Sequence, residues 1–454
     1  VRVNRRSALR ALIAAWTSSA RLPVGAQELP EPAWLLSGGI TDSSAMVKTA
    51  FVDRPAPQPP LLVSTQRNLS NATAVEGRWS PAPSATYSQR LLAEFDIQGL
   101  EPATEYFAGF RAGAGTLARF RTFGRGAFNF VAAFASCGGG TRVVPLSNVS
   151  NSGVFAALAA LDPHVFIHMG DLHYYNISGP AKPVEPLAGL FRRGLDRVLS
   201  QERQALFYRR TPLAYVWDDH DFGPNDSDTR SPTRDAARLY YAADLPHYPL
   251  PLGADADGPI AQVFDVGRVR FVMTDTRSER HPGERTMLGA RQLAWLIAEF
   301  ERAARDPVAL LVWVNTVPWI VADGDGDGWG QFAAERSLIA ERISALGLGP
   351  RMAMMSGDAH MLAFDDGRNN AHGGFVVAQA APLDRFNSTK GGPYSHAPAT
   401  QRNGQFGVLR VTDDGTTLTA RFEGHRYTGG NQAELVPGIA VTMRCTGEAC
   451  SVVT

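Results

Sequence analysis

Between residues 34 and 123 apolar and polar positions alternate in short runs: WLLSGGITDSSAMVKTAF, LLVST, ATYSQRLLAEFDI, TEYFAGFRAG and LARFRTF. Each run closes on turn residues, and such alternation at close spacing predicts strands and hence an N-terminal β-sandwich over 27–125. PAPQPP at 55–60 reads as an extended loop, since each proline lacks an amide hydrogen. From about residue 126 the pattern changes. FNFVAAFASC, HVFIHMGD, PLAYVWDDHD, VALLVWVNT and RMAMMSGDAH read as buried strands, and QVFDVGRVRFVMTDTR reads as a hairpin. SGVFAALAALDP, the stretch around 186–208 and LGARQLAWLIAEFERAAR carry helical spacing. The alternation predicts a layered α/β domain over 126–454. After about residue 405 FGVLRV, LTARFEG and AVTMRC return to strand-like text, with no amphipathic C-terminal helix to cover a site.

Composition narrows the partners. Lysine plus arginine and aspartate plus glutamate both number 44, so the charge balance gives no pull toward nucleic acid or an anionic membrane. A chain of 454 residues with 44% apolar content is long enough for two or three buried cores, and no apolar run of 18 residues follows the N-terminus. NRRSALRALIAAW, with Arg5, Arg6 and a cleavage site after Ala26 marked by Val24 and Ala26, resembles a twin-arginine export signal over 1–26. That resemblance implies the twin-arginine export machinery as a partner and a periplasmic or secreted location. The mature protein is expected to be a monomer. Cys445 and Cys450 in CTGEAC are close enough to close a small disulfide loop, whereas Cys137 stands apart in FASCGGG as a buried small hydrophobe or a metal ligand.

Four apolar strands end on polar clusters: Cys137; Asp171; Asp218, Asp219 and His220; and Asp358 with His360. Ligand sites in α/β sheets form beyond the carboxyl ends of strands, so these residues can converge although they are far apart in sequence. A cation is the economical way to satisfy thiolate, carboxylate and imidazole gathered at one sheet edge.

Five motifs run in order through roughly residues 30 to 425: Asp171 with Tyr174 in GDLHYY, WDDHD with Asn225, TDTRSER, LGARQLAWL and GDAH. Together they resemble the PhoD-type alkaline phosphatases and phosphodiesterases of the calcineurin-like metallophosphoesterase superfamily. The resemblance implies a layered β-sandwich core with flanking helices, preceded by a small all-β domain. GLEPATEYF resembles the corner of fibronectin type III sandwiches, where the Tyr106 hydroxyl would pin the loop. It further implies Fe3+ held by Cys137, Asp171, Tyr174 and His360, and a divalent ion, Ca2+, sharing Asp171 with Asn225 and Asp358. Hydroxide bound by the metals would attack the phosphorus of a small phosphate ester. His220 would donate a proton or hydrogen bond, Asp219 belongs to the same catalytic set, and Arg277 would orient phosphate or hold the acidic pair.

Other readings stand beside these. Asp221 or Asp226 could replace Asn225, Arg277 could pair with Asp275, and His168 and His173 read as packing or loop residues. DGDGDGW at 323–329 opens like a calcium loop but lacks the acidic twelfth ligand; the family resemblance implies instead that Asp327, Gly328 and Trp329 belong to a loop near the pocket. Three functions are compatible: an exported metal-dependent phosphoesterase acting on monoesters or diesters, a non-catalytic binding protein on a degenerate metallophosphoesterase fold, and a hydrolase of a non-phosphate ester. An oxygen, nitrogen or sulfur donor at every expected position favours the first.

Overall fold

The computed structural model describes residues 30–453 except 54, 82–89, 114, 141–147, 254–257, 325, 387, 401 and 448. The export segment over 1–26 therefore lies outside the described residues. Two large sheets and one small one build the chain. The largest has eleven described strands and the second seven, while four short strands of the N-terminal region form the third.

The largest sheet is centred on three parallel strands, Phe130–Ala135, Val165–Met169 and Leu213–Val216. Their near-continuous apolar text fits strands covered on both faces, and Val165–Met169 and Leu213–Val216 are buried throughout. On one side the antiparallel C-terminal strands Gln405–Asp413, Thr417–Gly429, Gln432–Thr446 and Ala449–Val453 extend the sheet. On the other, Gly38 pairs in parallel with Leu213 and joins the N-terminal strands Trp34–Gly38, Ser44–Phe51 and Leu91–Gln98 to the same hydrogen-bonded surface. The second sheet has its own parallel set: Val269–Met273, Leu310–Asn315, Met352–Ser356 and Val376–Ala380. Aromatic contacts between the sheets, such as Phe130 against Phe271, belong to one continuous core.

Helices flank this sandwich. The stretch around 186–208 forms two of them, Val184–Leu199 and Glu202–Arg210, separated at Ser200 and Gln201. LGARQLAWLIAEFERAAR gives Gly289–Arg305, which buries Leu296, Phe300 and Ala303 against the second sheet's core. The QVFDVGRVRFVMTDTR hairpin turns at Gly267, whose φ of 59° is the left-handed conformation that glycine adopts without strain. In the N-terminal region the Glu101 amide donates to the Tyr106 hydroxyl at 2.9 Å, so the tyrosine pins its corner as an acceptor. Cys445 and Cys450 face each other across the last antiparallel pair and are joined as a disulfide. Among the described residues no helix is long and apolar enough to cross a membrane.

Candidate metal centre

The carboxyl ends of parallel strands from both large sheets meet at one place. The residues following them turn sharply. Cys137, Asp171 and Asp358 have φ of 64°, 60° and 61°, a left-handed conformation that is uncommon outside glycine and costs of order 1 kcal/mol or more. Such strain persists because the surroundings hold it. The Asp221 carboxylate accepts the backbone amides of Asp171 and Leu172, and the Asp358 amide donates to Ser136 Oγ at 3.2 Å. Gly170 precedes Asp171 with φ of 88°, and a Cβ there would run into Asp218. Gly139, in the CGGG run, leaves room for the Tyr174 ring, which would lie 2.1 Å from a Cβ at that position.

Two groups of donors form around one carboxylate. In the first, the Tyr174 hydroxyl donates to Asp171 Oδ2 at 2.8 Å and lies 3.2 Å from His360 Nε2, while Cys137 Sγ lies 3.5 Å from Asp171 Oδ2. In the second, donors of Asp171, Asp219 and His220 all lie within 4.8 Å of one another, as do those of Cys137, Asp171 and His360. Asp171 belongs to both. A cavity of about 360 Å³ opens above them and is lined by Tyr174, Asn225, Asp358 and His360 among others.

The electrostatics fit a cation. Burial pushes the Asp171 carboxyl well above the usual carboxylate range, and the neighbouring charges of Asp219, Asp218 and Asp221 push it further. Burial likewise raises the Tyr174 phenol and the Cys137 thiol, each then disfavoured by the Asp171 charge. Burial also lowers the His360 imidazole to about 4, which keeps it neutral and able to ligate. Asp171 Oδ1 is buried without a hydrogen-bond partner among the described residues. Thiol, phenol and carboxyl packed this closely can all ionise only with a positive charge between them, so the residues fit a bound metal.

Of the residues expected from sequence, Asp171, Tyr174, Asp219, His220, Asn225, Asp358 and His360 line the one cavity. Cys137 is fully buried beside Asp171. Arg277 is also fully buried and does not line the cavity; its Nε donates to Asp218 Oδ1 at 2.5 Å. Asp275 instead accepts the Arg277 backbone amide and the Trp217 indole. Asp221 serves as the anchor of the Asp171 turn, and Asp226 donates its amide to Asp219 Oδ2 at 2.7 Å. His168 is packed among Phe166, Tyr208 and Tyr215. Within DGDGDGW, Asp327 reaches the cavity while Asp323 pairs with Arg336.

Sequence reasoning passed over three residues. Asn176 Oδ1 lies 2.5 Å from His220 Nδ1, the Arg385 guanidinium stacks 3.8 Å from the Tyr174 ring centroid, and Lys390 Nζ reaches into the acidic wall of the cavity. Asn176 could have been found by its position just after GDLHYY. Arg385 and Lys390 lie in the loop beyond the Val376–Ala380 strand and carry no periodic signal.

Comparison with known proteins matches a model of the PhoD-like phosphatase family to residues 133–388. A solved structure of PhoD superimposes with a TM-score of 0.67 at 15% identity, covering 95% of this chain and 93% of that one. A purple acid phosphatase from yellow lupin (Lupinus luteus) seeds superimposes with a TM-score of 0.61 at 11% identity, covering 94% of this chain and 78% of that one. No curated protein sequence matches the chain.

Proposed function

Because the chain belongs to the PhoD-like phosphatase family, we propose that it is an exported, metal-dependent phosphoesterase that hydrolyses phosphomonoesters and phosphodiesters. The observation that carries this reading is the convergence of two donor groups on Asp171 at the floor of a cavity. Cys137, Asp171, Tyr174 and His360 would hold one ion, and their anionic sulfur and oxygen donors suit Fe3+. A divalent ion, Ca2+, would share Asp171, with Asn225, Asp358 and Asp219 as the further donors the cavity offers. Bound metal ions supply Lewis acidity, which neutralises phosphate charge and activates water.

The chain's own groups supply position and proton handling. Asn176 Oδ1 accepts from His220 Nδ1, which fixes the proton there and leaves Nε2 with its lone pair. Nε2 can then take a proton from water and return it to the leaving oxygen. Asp219 accepts the amides of His220 and Asp226, one on each oxygen, and so keeps its carboxylate oriented. Arg277 acts through Asp218 as a positioning residue. The segment after Gln405 is built of strands among the described residues, which supports an accessible site that tolerates diesters. Export is supported by the paired Arg5 and Arg6 and by the Cys445–Cys450 disulfide, a bond that belongs to oxidising compartments.

Metal analysis of the purified protein with turnover of p-nitrophenyl phosphate and bis-p-nitrophenyl phosphate tests the reading. Asp171→Asn is expected to lose both bound metal and turnover; wild-type rates in that variant would remove the shared carboxylate from the mechanism. Both esters should be cleaved by the unaltered protein. Negligible diester hydrolysis would rule out the open site.

A further inference from the structure

A second cavity, of about 570 Å³, is joined to the first by the residues that follow GDLHYY. Tyr174 lines the catalytic cavity, and Tyr175 and Asn176 line the second. Asn176 bridges the two, since its Oδ1 lies 2.5 Å from Nδ1 of His220, a residue of the first cavity. The His173 ring meets Tyr175 edge-on, centroids 5.4 Å apart, and steadies a tyrosine that is still 37% exposed. Ile177 and Leu190 add apolar lining. Charge separates the two cavities. Five aspartates line the first, whereas the described residues lining the second include Arg193 and Arg197 and no acidic side chain.

Both arginines stand on the Val184–Leu199 helix four residues apart, so they share a face. The charged residues beside them are already engaged. Arg192 turns inward to Asp244, and the Asp196 carboxylate accepts from Arg90 and from the Trp34 indole. Arg193 and Arg197 are exposed, and their guanidinium groups have no hydrogen-bond or ion-pair partner among the described residues. Like charges at this spacing weaken a helix unless an anion shares them. We infer that Arg193 and Arg197 form a subsite for an anionic group, carboxylate or phosphate, at the far end of the ester arm whose scissile phosphate sits in the catalytic cavity. Their forked donors match the paired oxygens of either anion. Tyr175, Ile177 and Leu190 take the apolar stretch of the arm between the two charged ends. The favoured substrates are then phosphate esters that carry a second negative charge away from the reacting phosphorus, where a remote contact adds binding energy. The part this subsite plays in turnover rests on the phosphoesterase reading; its affinity for anions does not.

The test compares the unaltered full chain with the double variant Arg193→Gln, Arg197→Gln and with Arg193→Lys, Arg197→Lys, which keeps the charge. The probes are alkyl phosphonates of increasing chain length that end in a hydroxyl, a carboxylate or a second phosphonate, together with the matching phosphate esters. Phosphonates are not hydrolysed, so calorimetry reads their Kd without turnover, while initial rates give kcat and KM for the esters. At the matching length an anionic end is expected to bind about tenfold tighter than the hydroxyl end, the gain of one charge-assisted hydrogen bond. Added salt should shrink that preference. The double glutamine variant should erase it, raise KM about tenfold for the anionic esters with kcat unchanged, and leave p-nitrophenyl phosphate turnover as it was. The lysine pair should keep part of the preference. Whether the carboxylate or the phosphonate end binds tighter tells which anion the arm carries. Equal binding of hydroxyl-ended and anionic probes at every length, or a preference that survives the double glutamine variant, overturns the subsite. A preference lost in that variant, with no turnover of any ester by the unaltered chain, would retain the subsite and overturn the phosphoesterase reading.

Discussion

The donors at the centre of the site are legible because each stands at the end of an apolar run. Cys137, Asp171, Asp358 and His360 follow strands whose text is almost continuously hydrophobic, and a polar residue at that point marks the sheet edge. Asn176 and Lys390 have no such marker. Both act from loops and meet their partners across 44 and 32 residues respectively, contacts that depend on how the loops fold back. Asn176 makes a sharp prediction at this scale. Its alanine variant should lower kcat about 10- to 100-fold, the usual cost of losing the group that orients an active imidazole. Asparagine's acceptor can be supplied by aspartate, so Asn176→Asp should recover part of the rate; a pH–rate profile unchanged in Asn176→Ala would deny it the tautomer role.

Among the elements, the strands are readable and their neighbours are not. Short apolar runs announce six of the seven parallel strands, Val376–Ala380 being passed over, yet nothing in WLLSG tells that Gly38 will sit beside Leu213 and merge the N-terminal strands into the main sheet. Helix contacts hide in the same way. Arg192 looks like one of several charges in FRRGLDR, but it is fully buried and grips Asp244 through Nε at 2.7 Å and Nη2 at 2.6 Å. This forked pair clamps the Val184–Leu199 helix to Arg234–Asp244. Removing one partner strands the other charge in a dry interior, which typically costs about 3–5 kcal/mol. Arg192→Met should therefore lower the urea midpoint markedly, and Arg192→Met combined with Asp244→Leu should recover much of the loss. A single variant as stable as the parent would show the pair to be dispensable.

For the molecule as a whole, buried histidines set the response to acid. Burial lowers His168 to about 3, and burial with the Arg121 charge lowers His164 to about 4, against about 6.5 in an unfolded chain. The folded state keeps both rings neutral while the unfolded state takes up their protons. Stability is thus fully present above pH 6.5 and falls as the pH drops from there toward 3 to 4. Thermal melts between pH 7 and 4 should show this decline, and His168→Phe, whose ring suits the pocket of Phe166, Tyr208 and Tyr215, should flatten it. An identical slope in that variant would shift the cause elsewhere. The donor set also spans the architecture: Cys137 and Asp171 leave strands of one sheet, and His360 leaves a strand of the other. A chain whose sheets have each formed but not docked owns only part of that shell. In any preparation, the metal this shell retains per polypeptide would then count the fraction of molecules whose two halves have closed correctly.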